Sequence, residues 1–429
     1  MRVLTAILVL IVSVKTSFAD WPQFRGPGGQ GHAKAWDLPN QWSETSNVVW
    51  KVHVPGNGYS SPVISGDQIW LTTALDEGRS LHAICIEKDA GRILHDVELF
   101  RVEQSPQIHA KNSYASPTPV IDDARVYVHF GGIGTACVST RTGEPIWKQA
   151  KLRYTQPYSG ASSPVLFENL LILNCDGTDE QFVVALNKWD GQIVWKTRRA
   201  HLENIKQGVE ANPSHGFLLM AYSTPLIIDV DGVPQVISTA ADHVAAYGVR
   251  HGEEIWWLGY KGFSEVARPI YADGILVIPG FENVGERVLF AVRPNGHGDI
   301  AKTHLVWKLE KGVPHVPSPL AVGHELYLMA DDGVVTCLDL KTCELLWKER
   351  IGGNFSASPI YADEKIFLCS EQGKTTLLAP GKKFQRIAQN ELAGNLMASP
   401  AAVGSALFLR TYTHLYRIEE GGGAKSTRP

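Results

Sequence analysis

The chain has 429 residues, of which 44% are hydrophobic and 20% are charged, with 40 Gly, 24 Pro and 12 Trp. This composition is typical of a globular protein and excludes a disordered one. The net charge is −4 at pH 7, so charge gives no support for a nucleic-acid partner. Many Gly and Pro residues beside many aromatic ones favour short strands joined by turns.

The first 19 residues have the pattern of an export signal. A basic start precedes an apolar run over residues 3–14, which is shorter than the ~20 apolar residues that a membrane span needs. Small residues at Ser17 and Ala19 then suit a cleavage site. We therefore expect cleavage after Ala19, export to the periplasm or the cell exterior, and no membrane span in the mature chain. An uncleaved N-terminal anchor is the alternative.

A Ser-Pro or Thr-Pro step ahead of an apolar stretch recurs along the chain. The repeated prolines lie about 48 residues apart on average, a spacing typical of four-stranded propeller blades. After each proline come an apolar strand, a polar turn, two further strands, a Gly turn and a strand that often reads "IWK". The eight prolines are Pro62, Pro119, Pro164, Pro225, Pro269, Pro319, Pro359 and Pro400.

The last repeat ends before its fourth strand, whereas a matching strand at residues 47–54 has no blade in front of it. An N-terminal strand that completes the last blade closes the ring and removes an open sheet edge. We therefore predict an all-β, eight-bladed β-propeller over residues 47–420. An N-terminal extension (20–46) precedes it and a flexible tail (421–429) follows.

An aromatic residue recurs in the fourth strand of most repeats. A large aromatic side chain there would bury about 150–250 Å² between neighbouring blades, so we predict a structural role. The residues at this position are His95, Trp147, Trp195, Trp256, Trp307 and Trp347.

The six cysteines do not predict a metal site. Cys85, Cys137 and Cys337 share a repeat position with alanines, which indicates a demand for a small apolar side chain. A local Cys337–Cys343 bridge is an alternative for that pair. Acidic turns at residues 175–180 and 229–232 lack the later Glu of a calcium loop, so we interpret them as hairpin turns.

With "SPV…IYV…LYALD…TG…IWK" laid out, the chain resembles the pyrroloquinoline-quinone-like (PQQ-like) repeat proteins from about Trp42 to Glu420. The openings "DWPQFRGPGGQG" and "KNSYASPTPV" look like exported members from planctomycete-type bacteria. The resemblance implies a propeller related both to quinoprotein dehydrogenases, which hold PQQ and calcium, and to the scaffold lipoprotein of the barrel-assembly machine, which has no cofactor. The chain lacks the adjacent cysteine pair and calcium-ligating acids of the former and the lipid-anchoring cysteine of the latter.

The extra length between strands falls on one face of the predicted ring. The long connections are residues 101–116, 196–224, 259–268 and 279–287, and insertions on one face of a rigid fold are where binding usually evolves. A mixture of aromatic, imidazole and charged groups suits a polar or anionic ligand. The candidate ligand-binding residues on this face are His109, Lys111, Tyr114, Tyr158, His215, Glu265, Arg268 and His315.

The leading hypothesis is an exported, non-catalytic scaffold that binds a protein, peptide or glycan through this face, without a cofactor. A PQQ-dependent oxidoreductase is one alternative. A polysaccharide hydrolase or lyase is another, and it would require His109, His215 and Glu265 to converge. Arg268 stands where other repeats have Ser or Thr, so we expect it near the channel, either facing a ligand or paired with Glu265.

Overall fold

The structure is a computed structural model that describes residues 21–422 except residues 106, 123 and 284. The predicted signal peptide and nearly all of the predicted tail lie outside the described residues. Eight antiparallel sheets form an eight-bladed β-propeller, which confirms the predicted fold. Within residues 21–422, no described helix is long and apolar enough to cross a membrane.

Each blade has four strands, the first nearest the central channel. Strand β1 (Val48–His53) belongs to blade 8. Blades 1 to 3 consist of β2 (Val63–Ser65), β3 (Gln68–Leu75), β4 (Ser80–Glu87) and β5 (Ile93–Arg101); β6 (Val120–Asp122), β7 (Arg125–His129), β8 (Thr135–Ser139) and β9 (Pro145–Gln149); and β10 (Val165–Phe167), β11 (Leu170–Asp176), β12 (Gln181–Asn187) and β13 (Ile193–Arg198).

A helical insertion, α1 (Glu203–Ala211) followed by a 3-10 helix (Pro213–Leu219), separates blade 3 from blade 4. Two short 3-10 turns lie at Pro27–Gly29 and Asp76–Gly78. Blades 4 and 5 contain β14 (Leu226–Val230), β15 (Val233–Thr239), β16 (His243–Gly248) and β17 (Glu254–Gly259); then β18 (Ile270–Ala272), β19 (Ile275–Asn283), β20 (Glu286–Val292), β21 (Gly298–Asp299) and β22 (Leu305–Leu309).

Blades 6 to 8 complete the ring. Their strands are β23 (Leu320–Val322), β24 (Glu325–Met329), β25 (Val334–Asp339) and β26 (Leu345–Arg350); β27 (Ile360–Ala362), β28 (Lys365–Cys369), β29 (Lys374–Leu378) and β30 (Arg386–Glu391); and β31 (Ala401–Val403), β32 (Ala406–Arg410) and β33 (His414–Ile418).

The ring is closed by the N-terminal strand, as the repeat pattern predicted. Strand β1 pairs antiparallel with β33, with Val48 opposite Ile418 and His53 opposite His414. Val48 and Trp50 are buried in the largest apolar cluster of the described chain. Blade 8 therefore has no open outer edge at β33, because its fourth strand comes from the other end of the chain.

The residue before each repeated proline joins neighbouring blades. At seven of the eight blade–blade joints its backbone N–H donates to the hydroxyl of the equivalent Ser or Thr in the next blade. These N···O distances are 2.9–3.0 Å, and the side chains are buried. The bonds run Ser61 to Thr118, Thr118 to Ser163, Ser163 to Thr224, Arg268 to Ser318, Ser318 to Ser358, Ser358 to Ser399, and Ser399 to Ser61.

The recurring tryptophans also hold the blades together, which confirms their structural role. An indole N–H donates to a turn carbonyl of the next blade in Trp50, Trp147, Trp195, Trp307 and Trp347. For Trp50, Trp147 and Trp195 a turn glycine of the next blade has a positive φ and packs against the aromatic ring, as Gly191 does against Trp147. A side chain at Gly191 would collide with the indole, so the Gly turn and the tryptophan require each other.

The joint between blades 4 and 5 is built differently. Arg268 replaces the hydroxyl residue there, and Trp256 donates to Gln235 within its own blade. Blade 5 instead contributes β21 as a fifth strand parallel to β17, with Trp256 opposite Gly298. This joint therefore lacks both the hydrogen bond to a Ser or Thr hydroxyl and the hydrogen bond from the indole to the next blade. A fifth strand and a buried arginine connect the two blades instead.

The N-terminal extension lies inside the channel, which its sequence did not predict. Residues 21–36, here called the channel segment, bond to the innermost strands of blades 1, 2 and 7 and to the turn after that of blade 8. Trp21 pairs with Ile64, the Gly31 carbonyl accepts from Tyr361, and Trp36 donates to the Gly404 carbonyl. Trp21 is 0% exposed. The chain thus plugs its own channel before it continues to the outside of blade 8.

The six cysteines are free, so the alternative Cys337–Cys343 bridge is not formed. Cys85, Cys137 and Cys337 are buried in equivalent strands, which confirms the small apolar repeat position. At residues 229–232 the Asp229 carboxylate accepts from the Gly232 N–H at 2.8 Å, as expected of a hairpin turn.

Candidate functional site

The long connections share one face of the propeller, here called the insert-rich face, and its end of the channel is called the channel mouth. On this face His109 and Tyr158 are exposed, and their rings meet edge to face at 6.4 Å. Lys111, from the same connection as His109, forms an ion pair with Glu371 of blade 7 at 3.2 Å. The 101–116 connection therefore reaches from blades 1 and 2 over part of the mouth.

Tyr114 and His215 lie in different surroundings. Tyr114 is half-buried and packs on Gly78, whose positive φ of 91° and missing side chain make room for the ring. His215 is exposed on the insertion, where its Nε2 lies 3.1 Å from the Asn212 amide and its ring 6.2 Å from that of Phe217. Neither residue adds a group to the His109–Tyr158 pair.

Glu265, another candidate ligand-binding residue, is buried below the surface of the insert-rich face. It is 1% exposed, and its Oε1 has no hydrogen-bond partner in the described part of the chain. Burial raises the pKa of Glu265 to about 8, although Arg287 opposes this shift. A carboxyl group in such surroundings is neutral at pH 7.

His315 belongs to the same cluster as Glu265. Its backbone N–H donates to the Asp331 carboxylate at 2.7 Å, and its Nε2 lies 3.3 Å from the Ser264 carbonyl. Burial and the positive charge of Arg287 lower the pKa of His315. The structure therefore brings Glu265 and His315 together, with Arg287 and Asp331, under the channel mouth.

Arg268 is also buried, at 1% exposure, and does not pair with Glu265. Its guanidinium donates to the carbonyls of Phe24 and Gly29 in the channel segment and to that of Pro225 in blade 4. The expectation that Arg268 lies near the channel is correct. The expectations that it faces a ligand on the open face or forms a salt bridge with Glu265 are not met in this structure.

The three residues that a polysaccharide hydrolase or lyase would use have different neighbours in the structure. His109 contacts Tyr158, His215 contacts Asn212 and Phe217, and Glu265 is buried beside His315 and Arg287. Within the described residues, no hydrogen bond joins any two of these three side chains.

The channel mouth is the position at which the propeller could hold PQQ, and its lining does not suit that cofactor. The cavity there has a volume of about 90 Å³, whereas small-molecule sites usually occupy roughly 300–1,000 Å³. Phe24 of the channel segment forms part of its lining, and the rest consists of hydroxyl, apolar and tyrosine side chains. The ring hydroxyls already accept from backbone N–H groups. These residues offer no cation for the carboxylates of PQQ, so they do not fit that cofactor.

Among the residues that the structure describes, no group of three or more His, Cys, Asp or Glu side chains could hold a metal ion.

A larger groove, which the sequence reasoning missed, opens on the insert-rich face at blade 4. Its volume is about 590 Å³, within the usual range for a binding site. The apolar walls come from the insertion after blade 3 and from the 259–268 connection, and the charged groups lie among them. The lining residues are His201, Glu203, Ile205, Leu218, Asp242, Trp257, Gly259, Tyr260, Lys261, Gly262 and Phe263.

One wall of the groove is rigid. His201 stacks on Trp257 with the ring centres 4.0 Å apart, and its Nε2 lies 2.9 Å from the Glu254 carboxylate. Asp242 accepts from the Gly262 N–H at 2.8 Å, which holds the following aromatic residue, Phe263, in place. In the sequence, the two long connections at residues 196–224 and 259–268 were the feature that pointed to this part of the face. Which of their side chains face each other depends on the helical insertion, so the sequence did not reveal it.

The chain belongs to the family described as outer membrane protein assembly factor BamB, which matches residues 41–165 and 179–426. No curated protein matches the chain.

Solved structures share the fold at low sequence identity. BamB from Moraxella catarrhalis is 13% identical, with a TM-score of 0.60 over 89% of this chain and 98% of that one. Quinohemoprotein alcohol dehydrogenase from Comamonas testosteroni is 9% identical, with a TM-score of 0.67 over 96% and 82%. The computationally designed Ika8 protein is 11% identical, with a TM-score of 0.57 over 86% and 99%. Such identities show a common propeller and no common activity.

Proposed function

We propose that this member of the BamB family is an exported, non-catalytic scaffold that binds an extended segment of a partner protein in the groove at blade 4. The observation that carries the proposal is the groove itself. It is the size of a binding site, has mostly apolar walls and lies on the face where the insertions collect. A buried apolar anchor with a charged rim is how proteins usually hold a peptide side chain.

The chemistry of the groove favours an apolar anchor flanked by charge. Leu218, Tyr260 and Phe263 offer contacts to an aliphatic or aromatic side chain. Glu203 and Lys261 lie on the same groove and can pair with residues on either side of the anchor. A partner segment with one large apolar residue beside a basic and an acidic residue satisfies both features.

The structure of the channel favours a scaffold function over an oxidoreductase function. The central cavity of about 90 Å³ lies above Phe24, and its hydroxyl groups are used to join the blades. The dispersed positions of His109, His215 and Glu265 likewise give no support to a hydrolase.

The test is a selection of peptides from a random phage-displayed library on the immobilised protein, followed by fluorescence anisotropy with the selected peptides. Leu218→Asp places a charge on the half-buried wall of the groove and should weaken binding at least about tenfold, the equivalent of ~1.4 kcal/mol. Val233→Asp is the matched control, since Val233 is 53% exposed in the same blade at the opposite face. This control should bind like the unaltered protein.

Two results would contradict the proposal. One is equal binding of the selected peptides to both variants. The other is the recovery of no peptide in a selection where a glycan array gives saturable binding that Leu218→Asp abolishes. Far-UV circular dichroism of each variant separates lost binding from lost folding.

A further inference from the structure

Arg25 and Arg268 are buried in the channel, and no carboxylate among the described residues pairs with either of them. Arg25 is 0% exposed and donates through Nη2 to the carbonyls of Pro319, Pro359 and Gln30. Arg268 donates to the carbonyls of Phe24, Gly29 and Pro225. Carbonyl dipoles orient a guanidinium but do not cancel its charge.

Several N–H donors of these two side chains have no partner in the described residues. They are Nε and Nη1 of Arg25 and Nε of Arg268. A buried charged donor that is left without a partner costs more than a neutral one, so such groups are normally paired. The arrangement therefore provides unused donors as well as unneutralised charge.

The two guanidiniums bond to consecutive residues of the channel segment, since Arg268 Nη1 donates to the Gly29 carbonyl and Arg25 Nη2 donates to the Gln30 carbonyl. Burial and the charge of Arg268 lower the pKa of Arg25 to about 9, and burial alone lowers that of Arg268 to about 9. At neutral pH both groups remain charged. The other titratable group that Arg25 acts on is His32, whose pKa burial also lowers.

The backbone of the channel segment passes close to both guanidinium groups. Gly29 and Gly31 have positive φ values of 69° and 83°. A side chain at Gly29 would collide with the Arg268 guanidinium, and a Cβ at Gly31 would lie 2.8 Å from Arg25 Nη2. The glycines of the "RGPGGQG" stretch let the backbone approach both side chains closely, and the backbone groups that face the guanidiniums are the Gly29 and Gln30 carbonyls.

We infer that Arg25 and Arg268 together bind a small monovalent anion of halide size inside the channel. The anion accepts from the unused N–H groups and neutralises part of the buried positive charge. Bound to the folded ring and not to the unfolded chain, it stabilises the channel segment by mass action.

The test uses the unaltered protein crystallised in sodium bromide. An anomalous difference peak within hydrogen-bonding distance of Arg25 Nη1 or Nε and of Arg268 Nε is the expected result. The absence of a peak there, or peaks only at other positions, would overturn the inference.

A solution measurement gives an independent readout. Thermal unfolding in sodium chloride should occur about 2 °C or more above that in sodium gluconate at equal ionic strength. Arg25→Met should abolish this difference. Arg410→Met is the matched control, because Arg410 is 2% exposed and bonds to Ser60 and to the Thr72 carbonyl. It should keep the chloride dependence.

An unaltered protein that melts identically in both salts would contradict the inference, as would an Arg25→Met variant with undiminished chloride dependence. If Arg25→Met does not fold, the bromide peak of the unaltered protein decides.

Discussion

The joint between blades 4 and 5 and the other seven joints of the ring solve the same problem in two ways. At the seven, a backbone N–H donates to a Ser or Thr hydroxyl of the next blade. At the joint of blades 4 and 5, Arg268 takes the place of the hydroxyl residue and bonds to three carbonyls. Strand β21 adds a backbone connection on the outside.

The difference distinguishes the contacts that every repeat provides from the contacts that are particular to one joint of this chain. The hydroxyl bonds use one small side chain and are the same from blade to blade, so they serve only to close the ring. Three features lie at the joint of blades 4 and 5: Arg268, which anchors the channel segment, the buried Glu265, and one wall of the groove. Departures from the repeat therefore indicate where this propeller is specialised.

The largest expected effect comes from the joint that the two chain ends close. Deleting residues 47–54 removes β1 and the buried side chains of Val48 and Trp50. We expect a loss of stability on the order of 5 kcal/mol or more, because each buried apolar side chain contributes ~1.5–3 kcal/mol and the edge of β33 is exposed. Thermal unfolding followed by circular dichroism measures it.

Lys51→Ala is the control for that deletion, since Lys51 lies on β1 and its ammonium group forms a partly exposed ion pair with Glu44 and lies 5.0 Å from the centre of the Tyr416 ring. Such pairs contribute at most about 1 kcal/mol. An unchanged melting temperature in the deletion variant would mean that β1 does not close the ring.

An intermediate effect should distinguish the two kinds of joint. Arg268→Ala removes the hydrogen bonds to Phe24, Gly29 and Pro225, and we expect a loss of about 3 kcal/mol. Thr118→Val is the matched change at an ordinary joint. It leaves only the Ser61 N–H unpaired and should cost about 1–2 kcal/mol. Chemical denaturation of both variants measures their losses of stability. Equal losses would show that the joint of blades 4 and 5 contributes no more stability than an ordinary joint.

A third effect concerns pH and Glu265. The carboxyl pKa is about 8 in the folded protein and 4.5 when exposed, so between these values the folded state binds the extra proton. Stability should therefore fall as pH rises from about 4.5 to about 8 and change no further above that. Glu265→Gln should remove this fall and exceed the unaltered protein at high pH, on the order of a few kcal/mol at most.

Urea unfolding at several pH values measures the slope for Glu265. Glu344→Gln, at an exposed position, is the control and should follow the unaltered protein. A Glu265→Gln variant whose stability falls in parallel with the unaltered protein would show that Glu265 ionises freely in the fold.

Much of the fold was predictable because each blade repeats one local pattern. The prolines, the Gly turns and the tryptophans mark equivalent positions, and the count of units together with the unmatched strand at 47–54 gives the ring and its closure. The candidate site was less predictable. The insert-rich face followed from loop lengths, but Arg268 was expected to face a ligand or to pair with Glu265, and it bonds instead to carbonyls of the channel segment and of blade 4. The groove residues Leu218 and Phe263 were not predicted.

The sequence by itself determined the number of blades, the strand order and the face that carries the insertions, since these depend on contacts between near neighbours in a repeat. Only the tertiary structure decided the rest. The channel segment lies beside strands hundreds of residues away, as in the Arg25 bond to the Pro319 carbonyl 294 positions along the chain. Such long-range contacts leave no periodic mark on the sequence. Whether a lone arginine such as Arg268 faces solvent or another part of the chain is therefore settled by what packs against it.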